Sequence, residues 1–138
     1  MKVYVDSSVI VRLITREGDP IEGWGQWELA ITSEVAIIEV MRAAYRLRVM
    51  NEVTPEGHNE LLRAGSALLD ELRVVRFQPA ILRRAAGHFP TAIGALDAIH
   101  LATALLWEED TDDRLTFLTH DRQLRSAAQA CGLATARP

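Results

Sequence analysis

The sequence predicts an α/β fold, namely a three-layer α/β/α domain with a mostly parallel sheet of four or five strands. Short β-branched, apolar runs alternate along the chain with longer segments of helical composition. Strands that alternate with helices are typical of a parallel sheet covered on both faces. The chain has 138 residues, of which 49% are hydrophobic. This length and composition indicate a single domain, residues 1–138, with a full hydrophobic core.

Five segments have the composition of strands, because they are short, apolar and bounded by polar or turn-forming residues. In order, the predicted strands are Lys2–Val5, Leu29–Thr32, Arg73–Phe77, Leu115–Thr119 and Leu133–Ala136. In open parallel sheets, ligands bind beyond the carboxyl ends of the strands. Residues that follow these segments are therefore candidates for a functional site.

Seven segments between the strands are predicted as helices. Ser33 is a suitable N-cap for the long third segment, and Pro55 and Pro79 suit the first turns of two others. In order, the predicted helices are Ser7–Thr15, Pro20–Glu28, Ser33–Arg48, Pro55–Glu71, Pro79–Phe89, Ala95–Glu108 and Arg122–Cys131. The second is the weakest of them, because Gly23 and Gly25 lower its helical propensity.

The composition excludes several classes of protein. A single cysteine, Cys131, excludes an internal disulfide framework and a Cys-rich zinc site, and it fits a reducing compartment such as the cytoplasm. Asp6 and Arg12 interrupt the apolar N-terminus, so no secretory signal is expected, and no run is long enough to span a membrane. The net charge of −4 argues mildly against nucleic-acid binding by overall charge alone.

Four carboxylates lie in strongly apolar surroundings. Asp6 ends the first predicted strand, and Asp121 follows the fourth. Glu39 and Asp97 lie within apolar stretches of two predicted helices. An unpaired charge in such a place is costly, and the usual remedies are a partner, a metal ion or protonation. The pattern favours a shared acidic pocket that holds a hard cation.

Each acid also has a simpler interpretation. Asp6 and Asp121 could cap the helices that follow them. Glu39 could pair with Arg42, and Asp97 with His100, at the i, i+3 spacing of a helix. The shared pocket is favoured because the alternative requires four independent coincidences.

The other polar and aromatic candidates are less informative. His100 could orient Asp97 without binding the metal ion itself. The favoured interpretation is a core histidine with satisfied hydrogen bonds. His58 is expected to be solvated. Trp24 and Trp27 could contact a partner molecule. The favoured interpretation is that they pack the weak predicted helix 20–28 onto the core.

Carboxylates without clustered histidine or cysteine suit Mg²⁺ or Mn²⁺. Such ions, when held by a carboxylate cluster, orient a water molecule for in-line attack on a phosphodiester. Without metal the carboxylates repel one another, so at least one pKa should rise.

The residues resemble those of PIN-domain ribonucleases, and within that group those of VapC-type toxins of toxin–antitoxin modules. The resemblance covers nearly the whole chain, with its motifs in the family's order. The matching segments are residues 5–8 (VDSS), 33–43, 96–102 (LDAIHLA), 119–121 (THD) and 124–133. The stretch at residues 23–27, Gly-Trp-Gly-Gln-Trp, departs from the pattern in a region where the family varies.

The resemblance implies a PIN-like domain with an acidic quartet formed by Asp6, Glu39, Asp97 and Asp121. It assigns supporting hydroxyl groups to Ser8 and Thr119. It further implies Mg²⁺- or Mn²⁺-dependent cleavage of RNA in the cytoplasm, a homodimer, a cognate antitoxin protein that neutralises the enzyme, and no association with a membrane.

Three rival functions stay open at this point. A PIN-like binding module with purely structural acids would bind without catalysing. A phosphoacceptor receiver domain needs a lysine near a late strand, whereas the only lysine here is Lys2. A Mg²⁺-dependent phosphatase of the HAD type needs an aspartate two residues after its nucleophile, where this chain has Ser8.

Overall fold

The computed structural model describes residues 1–18 and 21–138, which contain five strands and six helices. The strands are β1 (Lys2–Val5), β2 (Leu29–Ser33), β3 (Arg73–Val75), β4 (Leu115–Leu118) and β5 (Ala134–Ala136). The helices are α1 (Ser7–Thr15), α2 (Val35–Val49), α3 (Pro55–Asp70), α4 (Pro79–Ala85), α5 (Ala95–Thr111) and α6 (Arg122–Ala130).

The strands form one sheet in the order β3-β2-β1-β4-β5, and every neighbouring pair is parallel. The first strand, β1, lies in the centre, where Tyr4 is in register with Ile31 on one side and Phe117 on the other. The predicted α/β/α class with a parallel sheet of five strands is confirmed. The carboxyl ends of β1 and β4, after which two of the acids come, are therefore adjacent.

Alternate residues of β1 face two separate hydrophobic cores, as the period of two in a strand requires. Val3 and Val5 belong to the core beneath α1, α2 and α3. Tyr4 belongs to the opposite core, with Leu101 of α5 and Leu124 of α6. None of the helices in the described part of the chain combines the length and apolar character needed to cross a membrane.

The predicted helix Pro20–Glu28 is wrong over residues 21–28, and its first residue lies outside the described residues. Turns occupy residues 22–25, where the amide of Trp24 donates to Ile21 O and that of Gln26 donates to Gly23 O. Gly23 and Gly25 have φ angles of 74° and 79°. A left-handed backbone at two glycines ends any helix, because the right-handed helix requires negative φ.

Three predicted ends also shift by two residues or more, and several others shift by one. The strand β3 stops at Val75 rather than Phe77, because the amide of Phe77 donates to Glu34 Oε2 at 2.9 Å instead of to a neighbouring strand. Helix α4 stops at Ala85 rather than Phe89, just before Gly87. Helix α5 continues three residues past the predicted Glu108, to Thr111.

The predicted N-cap of α2 is also wrong, because Ser33 stays in β2 and the helix begins at Val35. The Ser33 hydroxyl nevertheless accepts a hydrogen bond from the Val35 amide at 3.3 Å.

Candidate active site

Asp6 follows the central strand directly, and only 3% of this residue is exposed. Its Oδ2 atom accepts hydrogen bonds from the hydroxyl groups of Ser8 and Thr119. The same side chain caps α1 by accepting from the Ser8 amide, so the capping interpretation holds for Asp6 alongside its place in the site. Because these donors occupy Oδ2, the side chain is held in one orientation, with Oδ1 3.5 Å from Nε2 of His100.

Glu39, which lies on α2, contacts the same histidine as Asp6. Its Oε2 atom accepts a hydrogen bond from Nε2 of His100 at 2.6 Å. Asp6 and Glu39 therefore meet at one imidazole nitrogen, although they are 33 positions apart along the chain. The suggested helical partner of Glu39 lies elsewhere, since the Arg42 guanidinium is 5.2 Å from the centre of the Tyr45 ring.

Asp97 lies half-buried in the first turn of α5. Burial raises the pKa of its carboxyl group, and the charge of Asp121 raises that pKa further. The charges of Asp6 and Glu39 act in the same direction, and His100 opposes them. All four carboxylates are thus near enough to interact electrostatically, and one pKa rises as expected for a cluster of like charges.

Asp121 is exposed and lies at the N-terminus of α6, which its Oδ1 atom caps by accepting from the Leu124 amide at 2.8 Å. The capping interpretation is therefore also correct for this residue. The Asp121 amide donates to the hydroxyl of Thr119 at 3.0 Å. Since that hydroxyl in turn donates to Asp6, Thr119 directly links two members of the acidic quartet.

The two hydroxyl residues predicted to support the site lie beside Asp6. Ser8 and Thr119 have their oxygens 3.3 Å apart, and the Ser8 oxygen accepts from the His120 amide at 3.1 Å. These bonds tie the start of α1 to the segment after β4, and so fix the two strand exits relative to each other.

The histidines differ from the sequence expectation in two places. His100 is fully buried with hydrogen-bond partners, as the favoured interpretation expects, since its Nδ1 lies 2.7 Å from the Tyr4 hydroxyl. The acids that its Nε2 contacts are Glu39 and Asp6, whereas the sequence suggested Asp97. The expectation that His58 is solvated is wrong, since it is half-buried with Nδ1 3.2 Å from Ala44 O. The participation of Tyr4 in the site was missed, because nothing local in the sequence couples it to a residue 96 positions away.

The pKa of His100 moves upward on balance. Burial lowers the pKa of the imidazole, but the hydrogen bond to Glu39 and the charges of Asp6, Glu39 and Asp97 raise it by more. Burial also raises the pKa of the Tyr4 phenol well above its ordinary value, so the hydroxyl keeps its proton.

Trp24 and Trp27 are half-buried and pack against the core beneath α1, α2 and α3. Their rings meet edge to face with centroids 4.8 Å apart, and Nε1 of Trp24 donates to Glu71 at 3.0 Å. These contacts support the interpretation that both tryptophans pack onto the core.

The donor set fits a divalent cation. Four carboxylates supply only hard oxygen ligands, which suit Mg²⁺ and Mn²⁺, and a cation would offset the like charges that raise the pKa of Asp97. Within residues 1–18 and 21–138, no three acidic, histidine or cysteine side chains already have the spacing of metal ligands.

Replacing Asp97 by asparagine should stabilise the metal-free protein at pH 7. The raised pKa of Asp97 means that folding disfavours its charged form, so the native state binds the proton more readily than the unfolded chain. Asp97 therefore costs stability above its raised pKa, and that cost disappears as the pH falls through it. The difference in free energy of unfolding between Asp97→Asn and wild type, measured by urea titration with EDTA, should shrink between pH 7 and pH 4.

Asp110→Asn, on an exposed position of the same helix, is the matched control. A constant difference across this pH range, or one equal to that of the control, would contradict the electrostatic interpretation.

Comparison with known proteins identifies the family. The profile of the PIN domain matches residues 3–130. Ribonuclease VapC46 of Mycobacterium tuberculosis is 32% identical over 139 residues, which cover 99% of this chain and 97% of the relative. Ribonuclease VapC35 of the same species is 34% identical over 143 residues, covering 99% and 96%.

The fold agrees with that of a solved structure. The crystal structure of VapBC2 from Rickettsia felis, bound to a DNA fragment from their promoter, superposes with a TM-score of 0.69. The sequence identity is 12%, and the superposition covers 99% of this chain and 98% of the other. From the domain profile and the two full-length relatives together, we conclude that this chain belongs to the PIN-domain family and, within it, to the VapC-type ribonucleases.

Proposed function

We propose that this chain is a divalent-metal-dependent endoribonuclease toxin, built as a single domain over residues 1–138, that acts in the cytoplasm and is neutralised by a cognate antitoxin. The observation that carries the proposal is that Asp6 and Glu39 both lie beside Nε2 of His100, while the charges of Asp6, Glu39 and Asp121 all act on the half-buried carboxyl group of Asp97. The names of the VapC46 and VapC35 relatives support RNA as the substrate.

The four carboxylates would hold Mg²⁺ or Mn²⁺. When bound, such an ion lowers the pKa of a water ligand and stabilises the leaving oxygen of a phosphodiester. Asp6 provides the most rigid ligand, because Ser8 and Thr119 fix its Oδ2 atom. Glu39 and Asp97 close the site from two helices.

The helices around the site favour a phosphate there. Two helices begin directly after an acid of the site, α1 after Asp6 and α6 after Asp121. A third helix, α5, begins two residues before Asp97. A helix N-terminus carries a partial positive charge and attracts phosphate oxygens. Three such termini beside the acids lower the cost of bringing a phosphodiester to a negatively charged pocket.

Apolar surface beside the acids supports a protein partner. Ile38, next to Glu39, is 64% exposed, and Leu96, next to Asp97, is 49% exposed. Large exposed apolar side chains around a polar site are typical of an interaction surface. An antitoxin segment could cover them while placing an arginine in the acidic pocket, where charge-assisted hydrogen bonds to carboxylates are strong. The structural neighbours include a toxin–antitoxin complex from Klebsiella pneumoniae.

The protein freed of antitoxin should cleave RNA only when a divalent metal is present. The test is incubation with a total RNA pool in Mn²⁺ or in excess EDTA, followed by sequencing of newly formed ends, so that the target need not be known beforehand. Discrete new ends that appear only with Mn²⁺ are expected. Cleavage that persists in excess EDTA would contradict the metal mechanism, and no cleavage with Mn²⁺ would favour a non-catalytic binding module.

A further inference from the structure

A buried row of three polar side chains connects the centre of the sheet to the acidic site. The Tyr4 hydroxyl lies 2.7 Å from Nδ1 of His100, and Nε2 of the same ring lies 2.6 Å from Oε2 of Glu39. Tyr4 and His100 are both 0% exposed, whereas the side chain of Glu39 is 20% exposed. The row therefore begins in the core and ends at the one member that reaches solvent.

The core end of this row is fixed by packing. The Tyr4 ring stacks on Phe117 of the neighbouring strand, with centroids 4.8 Å apart and an angle of 8° between the planes. His100 meets the same ring edge to face at 5.8 Å and lies on α5 among fully buried residues. Because both rings are enclosed, the direction of the Nε2–H bond is set by the core.

Nε2 of His100 carries a hydrogen whether the imidazole is neutral or charged. An ionised Glu39 carboxylate can only accept, so the 2.6 Å contact requires Nε2 to donate. In the neutral ring the Tyr4 hydroxyl donates to Nδ1, and in the doubly protonated ring it accepts from Nδ1. Either way, His100 presents one donor to Glu39, with Oδ1 of Asp6 3.5 Å from the same nitrogen.

We infer that His100 is a positioning residue that holds the Glu39 carboxylate beside Asp6 for metal binding, and that Tyr4 fixes the ring that does so. Without this donor, two like-charged carboxylates would separate, and the long side chain of Glu39 has the freedom to turn toward solvent. The inference rests on the proposed function for the identity of the bound ion. Replacing a residue that hydrogen-bonds to a metal ligand typically changes the metal affinity about 10- to 100-fold.

Two substitutions at His100 separate positioning from core packing. In His100→Gln the side-chain amide reaches approximately the place of Nε2, and in His100→Asn it reaches only that of Nδ1. Both remove the buried ring and should lower stability similarly. Mn²⁺ affinity, measured by calorimetry on samples shown to be folded by circular dichroism, should fall about 10- to 100-fold in His100→Asn. It should recover most of that loss in His100→Gln.

The control is the same pair of substitutions at His58, a half-buried histidine of α3 that bonds to Ala44 O. Both His58 variants should bind Mn²⁺ like wild type. Equal affinity in His100→Asn and His100→Gln would overturn the inference, because a purely structural histidine would not distinguish the two amides.

A metal-free measurement keeps the inference testable if the His100 variants fail to fold or if wild type binds no Mn²⁺. In protein labelled with ¹⁵N-histidine, Glu39→Gln should shift the Nε2 resonance of His100, and Tyr4→Phe should shift its Nδ1 resonance. Unchanged resonances in both variants would overturn the inference. If wild type binds no Mn²⁺ while these shifts appear, the proposed function fails and the hydrogen-bonded row stands.

Discussion

Replacing Asp6 by asparagine should lower the rate of metal-dependent RNA cleavage about a thousandfold. A metal ion contributes several kcal/mol to the stabilisation of developing charge, and each 1.36 kcal/mol is a factor of about ten in rate. Asparagine caps helices about as well as aspartate, so α1 should keep its N-terminus and the protein should fold. The loss should therefore appear in kcat, measured with Mn²⁺ on an RNA cleaved by wild type.

Asp110→Asn makes the same chemical change at an exposed position of α5 and should leave kcat unchanged. Excess Mn²⁺ should not restore the activity of Asp6→Asn. The variant lacks a charged ligand on the protein, and a higher concentration of metal ion does not replace that ligand. Activity of Asp6→Asn within a factor of ten of wild type would show that Asp6 is only a helix cap.

Phe117→Ala should be the most destabilising single change considered, at about 3–5 kcal/mol. Phe117 is 0% exposed, lies on β4 beside the central strand, and stacks on Tyr4. Its removal leaves a cavity in the core that supports α5 and His100. For a chain of this length the melting temperature should fall by roughly 10–15 °C, at about 3 °C per kcal/mol, in a thermal scan of the metal-free protein.

Phe77→Ala is the matched control, because Phe77 is 41% exposed and follows β3 at the edge of the sheet. The same truncation there should change stability by no more than about 1 kcal/mol. Equal shifts in melting temperature for the two variants would contradict the assignment of Phe117 to the core.

The positions of the acids could be predicted from the sequence because they follow from local patterns. A β-branched run that ends in Asp6 marks a strand exit, and an apolar helical run around Asp97 marks a buried helix. The parallel order of the strands then brings distant strand exits to one edge of the sheet. Their apolar surroundings singled out these four among the nineteen acidic residues, and the family resemblance added their role as an acidic quartet.

The contacts of those acids could not be predicted, because they depend on the third dimension. The only side-chain partner that the sequence suggested for Glu39 was Arg42, in its own helix, whereas the structure pairs Glu39 with His100, 61 positions away. Likewise, β3 ends early because the side chain of Glu34, 43 positions distant, accepts the Phe77 amide. A helix was wrongly predicted across Gly23, and the end of α4 near Gly87 was misplaced, because a glycine lowers helix stability without showing whether a helix forms or where it stops.

Anomalous X-ray diffraction from crystals soaked in Mn²⁺ would show directly whether the four carboxylates form one metal-binding site. We expect an anomalous peak with oxygen atoms of Asp6 and Asp97 about 2.0–2.6 Å away, and with Glu39 or Asp121 as a further protein ligand. The peak should be absent in Asp6→Asn crystals grown and soaked identically. An ordered, empty pocket at saturating Mn²⁺ in wild-type crystals, or a Mn²⁺ ion bound only elsewhere on the chain, would contradict a shared metal site at these carboxylates.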